Sequence, residues 1–95
     1  MDKVEQVGSF LKRVASDASL GASHVSFCTA VCTAWIENGL NNPFNISRRR
    51  LMASSKIKST STYHRILNDL KALKYFEYVP SFHPGKGSQV LIVTK

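Results

Sequence analysis

The stretch over residues 46–95, ISRRRLMASSKIKSTSTYHRILNDLKALKYFEYVPSFHPGKGSQVLIVTK, decides how this chain reads. Ser47 is a good N-cap for a short helix over 48–55, with Ile46 before it and Leu51 after it at the two positions of a hydrophobic staple. Three arginines, Arg48, Arg49 and Arg50, fill its first turn. Cations beside the positive end of a helix dipole are disfavoured by about 0.3–1 kcal/mol each. Stability alone would not select them, whereas an anion docking at that helix start would. Residues 56–60 (Lys-Ile-Lys-Ser-Thr) form a polar turn, and a longer helix follows over about 60–73. Tyr63, Ile66, Leu67, Leu70 and Leu73 make its buried stripe, and the opposite face carries Ser61, Arg65 and Asn68 between His64 and Asp69. Two strand-like runs, 75–80 (YFEYVP) and 89–94 (QVLIVT), flank a loop whose two glycines and proline supply turn chemistry.

The charge is concentrated in the same stretch. From residue 48 onward there are ten Lys or Arg against Asp69 and Glu77, whereas residues 1–47 hold three basic and four acidic groups. The net charge of +7 is therefore the property of one half of the chain, which is built to meet a polyanion. A face that was merely solvated would mix in several glutamates.

Working outward, residues 24–38 form a helix without a charged residue between His24 and Glu37. Val25, Phe27, Cys28, Ala30, Val31, Cys32, Ala34, Trp35 and Ile36 wrap most of it, so it is covered on most sides. Gly39 fits the left-handed residue just past its end, and 41–43 (Asn-Asn-Pro) is a loop. Residues 2–19 form a further helix, ended by Gly21 and the nearby serines. Val4, Val7, Leu11, Val14 and Ala18 follow a 3-4-3-4 spacing, a narrow apolar seam with Phe10 beside it. Gly8 weakens this helix by about 1 kcal/mol relative to alanine. The seam is too short for an independent coiled coil, so it packs either on the chain's own core or on a second copy.

Ninety-five residues, 43% of them hydrophobic, make one folded domain with room for a single core. No apolar run approaches a membrane span, and the first residues lack a secretory pattern, so the expected compartment is the cytoplasm. His24, Cys28 and Cys32 align at i, i+4 and i+8, but zinc takes four ligands and favours tighter spacing on loops. The cysteines therefore read as small buried apolar residues. The six carboxylates form no close pair in a motif, and neither a phosphate loop nor a nucleophile elbow is present. No enzyme activity, cofactor, metal or small-molecule ligand is expected.

Several segments in order carry a resemblance: 35–39 (WIENG), 42–48 (NPFNISR), 62–64 (TYH) and 81–88 (SFHPGKGS). Together they resemble the winged helix-turn-helix superfamily of bacterial transcription regulators. More closely, they are similar to small winged-helix proteins associated with bacterial mobile elements, which share an N-P-x-x-I-S start, a T-Y-H in the recognition helix and a P-S-x-x-P-x-x-G-S wing. The resemblance spans roughly residues 24–93. It implies a mainly α protein with a small β-hairpin wing (α+β): a single winged-helix domain over 1–95, with its core over 24–95 and an extra N-terminal helix over 2–19. It also implies double-stranded DNA binding through the recognition helix 60–73, which carries Ser61, Thr62, His64 and Arg65, helped by the wing over 80–88.

Chemistry extends that expectation. Arg suits guanine and Asn suits adenine in the major groove, so Arg65 and Asn68, with Ser61, face bases. Arg48, Arg49, Arg50, Lys56, Lys58, Ser59, Thr60 and Lys86 hold phosphates, and His83 and Lys86 stand at the wing tip. Six cationic contacts would give a slope of about −5 in log affinity against log salt. The 56–60 turn is about one residue longer than usual, which leaves the base-facing register open by one position. A homodimer joined through the seam of Val4, Val7, Leu11 and Val14 would suit a palindromic site. The expected role is a transcriptional regulator. A replication or recombination accessory protein of a mobile element would use the same surface, and a protein-interaction winged helix would turn it to an acidic partner.

Overall fold

The computed structural model describes residues 2–79 and 88–93. Its elements in chain order are helices α1 (Lys3–Ser16) and α2 (Ala22–Glu37), strand β1 (Phe44–Ile46), helices α3 (Arg48–Ser55) and α4 (Thr60–Ala72), and strands β2 (Phe76–Val79) and β3 (Ser88–Ile92). The class is α+β, mainly helical with one antiparallel sheet in the order β1-β3-β2.

Short polar side chains start the helices. Asp2 accepts from the Val4 N–H at 2.8 Å, Ser47 from Arg50 at 3.4 Å and Ser59 from Thr62 at 3.3 Å. At the start of α2, the His24 ring does the reciprocal work and accepts from the Gly21 N–H at 3.2 Å. Gly21 thus opens α2 and does not close the first helix, which is shorter than the expected 2–19. It ends at Ser16, whose hydroxyl turns back to the Lys12 carbonyl, and Asp17 leaves in an extended conformation.

Three helix ends share one design. After α2, Gly39 (φ 69°) donates to Ile36 and the next residue, Leu40, donates to Trp35. After α3, Lys56 (φ 63°) donates to Ala53 and Ile57 to Met52. After α4, Lys74 (φ 65°) donates to Lys71 and Tyr75 to Leu70. Each pair of bonds satisfies orphan carbonyls and turns the residue after the left-handed position inward. Leu40 packs against the core, while Ile57 and Tyr75 lie within it. Tyr75 is consumed in this exit, so β2 begins one residue later than the run 75–80 implies.

Strand β1 is absent from the sequence reading. Its three residues follow a buried–exposed–buried pattern and pair with β3, Phe44 against Val90 and Ile46 against Ser88. Asn42 extends that ladder past Pro43 with its side chain: it accepts from the Ile92 N–H and donates to the Ile92 carbonyl, both at 2.8 Å. Strand β2 pairs on the other edge of β3, Phe76 against Ile92 and Val79 against Gln89.

One core joins all of these elements. Phe27 of α2 stacks on Phe76 of β2 at 6.0 Å and lies 5.4 Å from the Tyr63 ring of α4. Phe10 of α1 meets Trp35 and Tyr75 edge-on at 6.4 and 6.2 Å. Ser26 donates to the Ser55 carbonyl at 2.6 Å, tying α2 to the end of α3. The first helix is therefore part of the core. Its seam divides: Val14 is buried and Val7 packs against the core, while Val4 and Leu11 are 72% and 43% exposed.

Candidate nucleic-acid interface

The first turn of α3, the middle of α4 and the facing strands enclose an open cleft of about 450 Å3. Ser47, Arg48 and Arg49 line one side, Tyr63, His64 and Leu67 another, and Ile46, Tyr78 and Ser88 close the base. The Tyr78 hydroxyl and Ser88 Oγ lie 2.6 Å apart across the β2–β3 pair, which fixes that base. Tyr63 is buried beneath the His64 ring, 5.3 Å away, and burial pushes its phenol pKa up, so it meets any ligand as a neutral group. The result is a helix start with two arginines beside an imidazole, a set of hydrogen-bonding groups whose chemistry suits an anionic oxygen.

Next to the cleft runs the solvent face of α4. Ser61, His64, Arg65 and Asn68 are all exposed on it, and Thr62 is half-buried at its edge. Thr60 and the Ser59 N-cap open the helix, with Lys56 and Lys58 exposed in the turn before them. That turn covers Lys56 to Ser59, four residues, with Ile57 buried as its anchor. Arg48, Arg49, Lys56, Lys58 and Arg65 engage no carboxylate among the described residues. Arg50 differs from its two neighbours: it lies 3.4 Å from Glu37, at the end of α2. Both partners are well exposed, so this pair is weak and can be broken by a better anion.

Two other groups shape the face in a way the sequence conceals. Asp69 is the one carboxylate on α4, and left free it would repel a polyanion. It lies at 2.9 Å from Nε2 of His24. Because Nδ1 of that ring accepts from Gly21, Nε2 carries the proton and donates to Asp69. Nothing in the spacing signals this bond, which joins residues 45 positions apart. His24 is therefore engaged away from the cysteines. Burial raises the Cys28 thiol to about 12 and the Cys32 thiol in the same direction, so both stay protonated inside the core. His83 and Lys86, expected at the wing tip, and the whole of residues 80–87 lie outside the described residues. Among the described residues, no helix is long and apolar enough to cross a membrane.

Searches of protein-family models, curated proteins and solved structures found no match to this chain.

Proposed function

We propose that this protein binds double-stranded DNA as a winged helix-turn-helix module and acts as a sequence-specific regulator of transcription. In this reading α3 and α4 are the two helices of the motif, α4 enters the major groove, and β2 and β3 are the stem of the wing. The observation that carries the reading is the set of uncompensated cations at the start of α3 (Arg48, Arg49), in the α3–α4 turn (Lys56, Lys58) and on the solvent face of α4 (Arg65), a helix whose outward groups are short or forked hydrogen-bonding side chains. The element order and the antiparallel β2–β3 pair support it, with Tyr78 and Ser88 of those strands lining the same cleft as Tyr63, His64 and Leu67 of α4. Ser61 and Arg65 stand in the first half of α4, where such helices contact bases, and Asn68 follows one turn later on the same face. Arg48 and Arg49 hold a phosphate at the start of α3, and Lys56 and Lys58 hold others near the turn.

The test is a titration of a labelled mixed-sequence duplex, followed by fluorescence anisotropy at several salt concentrations. Five cations on phosphates and bases give a slope of about −4 in log affinity against log salt. A folded protein that fails to bind any duplex at low salt, yet retains an acidic protein, would overturn the proposal.

A further inference from the structure

Helix α4 is held on one side of the α1–α2 pair. Arg13 of α1 reaches the carbonyls of Leu73 and Lys74, Phe27 of α2 meets Tyr63, and His24 meets Asp69. Among the positions turned away from these contacts, each helix carries an apolar stripe. On α2 it comprises Val25, Thr29, Thr33 and Ile36, all exposed. The threonines present only methyl groups there, because the Thr29 hydroxyl donates to the Val25 carbonyl and that of Thr33 to the Thr29 carbonyl, each at 2.9 Å. On α1 it comprises Val4, Gly8 and Leu11. The helices run antiparallel, with Lys3 at Gly39 and Phe10 at Trp35.

Nothing among the described residues requires a glycine at position 8. It is helical, and a Cβ built on it would meet nothing within 4 Å. Helix propensity favours alanine there, so the glycine needs a reason outside the chain, and close approach of another helix is one. Glu5 and Lys12 are exposed at the outer edge of the same face, without an ion pair among the described residues. They stand seven residues apart, about 10 Å along the axis, and cannot reach each other. In an antiparallel pair of α1 helices crossing at Gly8, Val4 of one copy meets Leu11 of the other and Glu5 meets Lys12, twice over by symmetry.

We infer that the outer face of α1 and α2 docks a second copy of this chain, with α1 antiparallel to α1 across Gly8. Helix α4 meets α2 at His24 and Phe27, on the side of α2 opposite its apolar stripe, so the pair carries its two basic faces outward on opposite sides. Resting on the DNA-binding reading, such a pair bridges two duplexes and does not lie along one palindrome.

Sedimentation equilibrium of the full chain tests the docking. The expected mass rises to that of two chains with concentration. Leu11→Glu, at an exposed position that leaves the fold intact by circular dichroism, weakens association at least about tenfold, the effect of losing one buried anchor. Glu5→Lys weakens it, and the double change Glu5→Lys with Lys12→Glu restores it. Gly8→Ala raises the melting temperature of the dilute monomer while weakening association. A single-chain mass at every concentration, or a two-chain mass indifferent to Leu11→Glu, overturns the docking. Capture of a labelled duplex by an immobilised one tests the bridging. Wild type captures it, and Leu11→Glu binds one duplex as tightly but captures none. A two-chain species that binds no duplex refutes the DNA reading and leaves the docking standing; one that binds a single duplex without capturing a second refutes the bridging.

Discussion

Arg13 and the cluster of Arg48, Arg49 and Arg65 are the same side chain in two opposite situations. Arg13 donates to the Lys74 carbonyl at 2.8 Å and the Leu73 carbonyl at 2.6 Å, and its guanidinium lies 3.9 Å over the Tyr75 ring. It closes the C-terminal end of α4, where a cation also meets the negative end of the helix dipole. The other three line a cleft or an open helix face and engage no carboxylate among the described residues. A cation that donates to two backbone carbonyls at a helix end is holding the fold together. A group of cations left near one another without counter-charges makes the fold more costly and is explained by what arrives from outside.

The strongest way to break this contrast is a crossed pair of variants. Replacing Arg48, Arg49 and Arg65 together by alanine should weaken duplex binding about a hundredfold at moderate salt and flatten the salt slope by about 3, with the melting temperature unchanged or raised. Arg13→Ala should do the reverse. It removes two charge-assisted hydrogen bonds at a partly exposed site, a loss of about 1–2 kcal/mol in chemical denaturation, while the folded protein binds DNA as before. Equal losses of affinity in both variants would end the distinction.

How much of this was legible in the sequence differs by region. The helices of the basic half were legible because their signals are local: Ser47 and Ser59 cap, and Tyr63, Ile66, Leu67 and Leu70 share one buried face, whereas Leu73, expected in the same stripe, is the C-cap and 40% exposed. The arginines at the start of α3 also stood out, because local electrostatics disfavours them. Strand β1 was not legible, since three residues carry no period and their partner, β3, lies more than 40 positions away. The role of Arg13 was hidden for the same reason, with its carbonyl partners 60 and 61 positions on. The apolar seam of α1 was legible as a seam but not as a divided one. Which members face inward depends on where Trp35 and Tyr75 receive Phe10, and that is a property of the assembled core.

The structural side of the contrast has a pH signature. Asp17 accepts from the Ser19 side chain, from the Tyr75 hydroxyl at 2.7 Å and from the Ser19 N–H, and these bonds hold its carboxyl at about 2, below the ordinary 3.8. A depressed acid stabilises the fold above its ordinary value, and that support is lost as pH falls from about 4 to about 2. Tyr75 is shifted the other way. Burial, then the bond to Asp17 and its charge, raise the phenol to about 12 from an ordinary 10. Its support is present below pH 10 and disappears on the way to about 12. In denaturation series across pH, Asp17→Asn should lose stability less steeply than wild type on the acid side. Tyr75→Phe should remove the alkaline loss and lower neutral stability by about 1 kcal/mol. Coincident curves would mean that this contact is not held in solution.

The smallest effect separates the regions most finely. Lys56 and Lys74 occupy the same backbone position, the left-handed residue after a helix, at φ 63° and 65°. A side chain there is strained by about 1 kcal/mol relative to glycine, partly offset by the charge beside the helix C-terminus. Lys74→Gly and Lys56→Gly should therefore each stabilise the protein by roughly 0.5 kcal/mol. Their effects on binding should part company. Lys74 lies beside Arg13 at the far end of α4, so its replacement leaves the salt slope alone. Lys56 stands in the turn before α4, and its replacement should lower the slope by about 1. A lysine kept at a strained position where glycine would be more stable, with its replacement costing DNA affinity only at residue 56, would place the boundary between scaffold and interface between two residues that share the left-handed position after a helix.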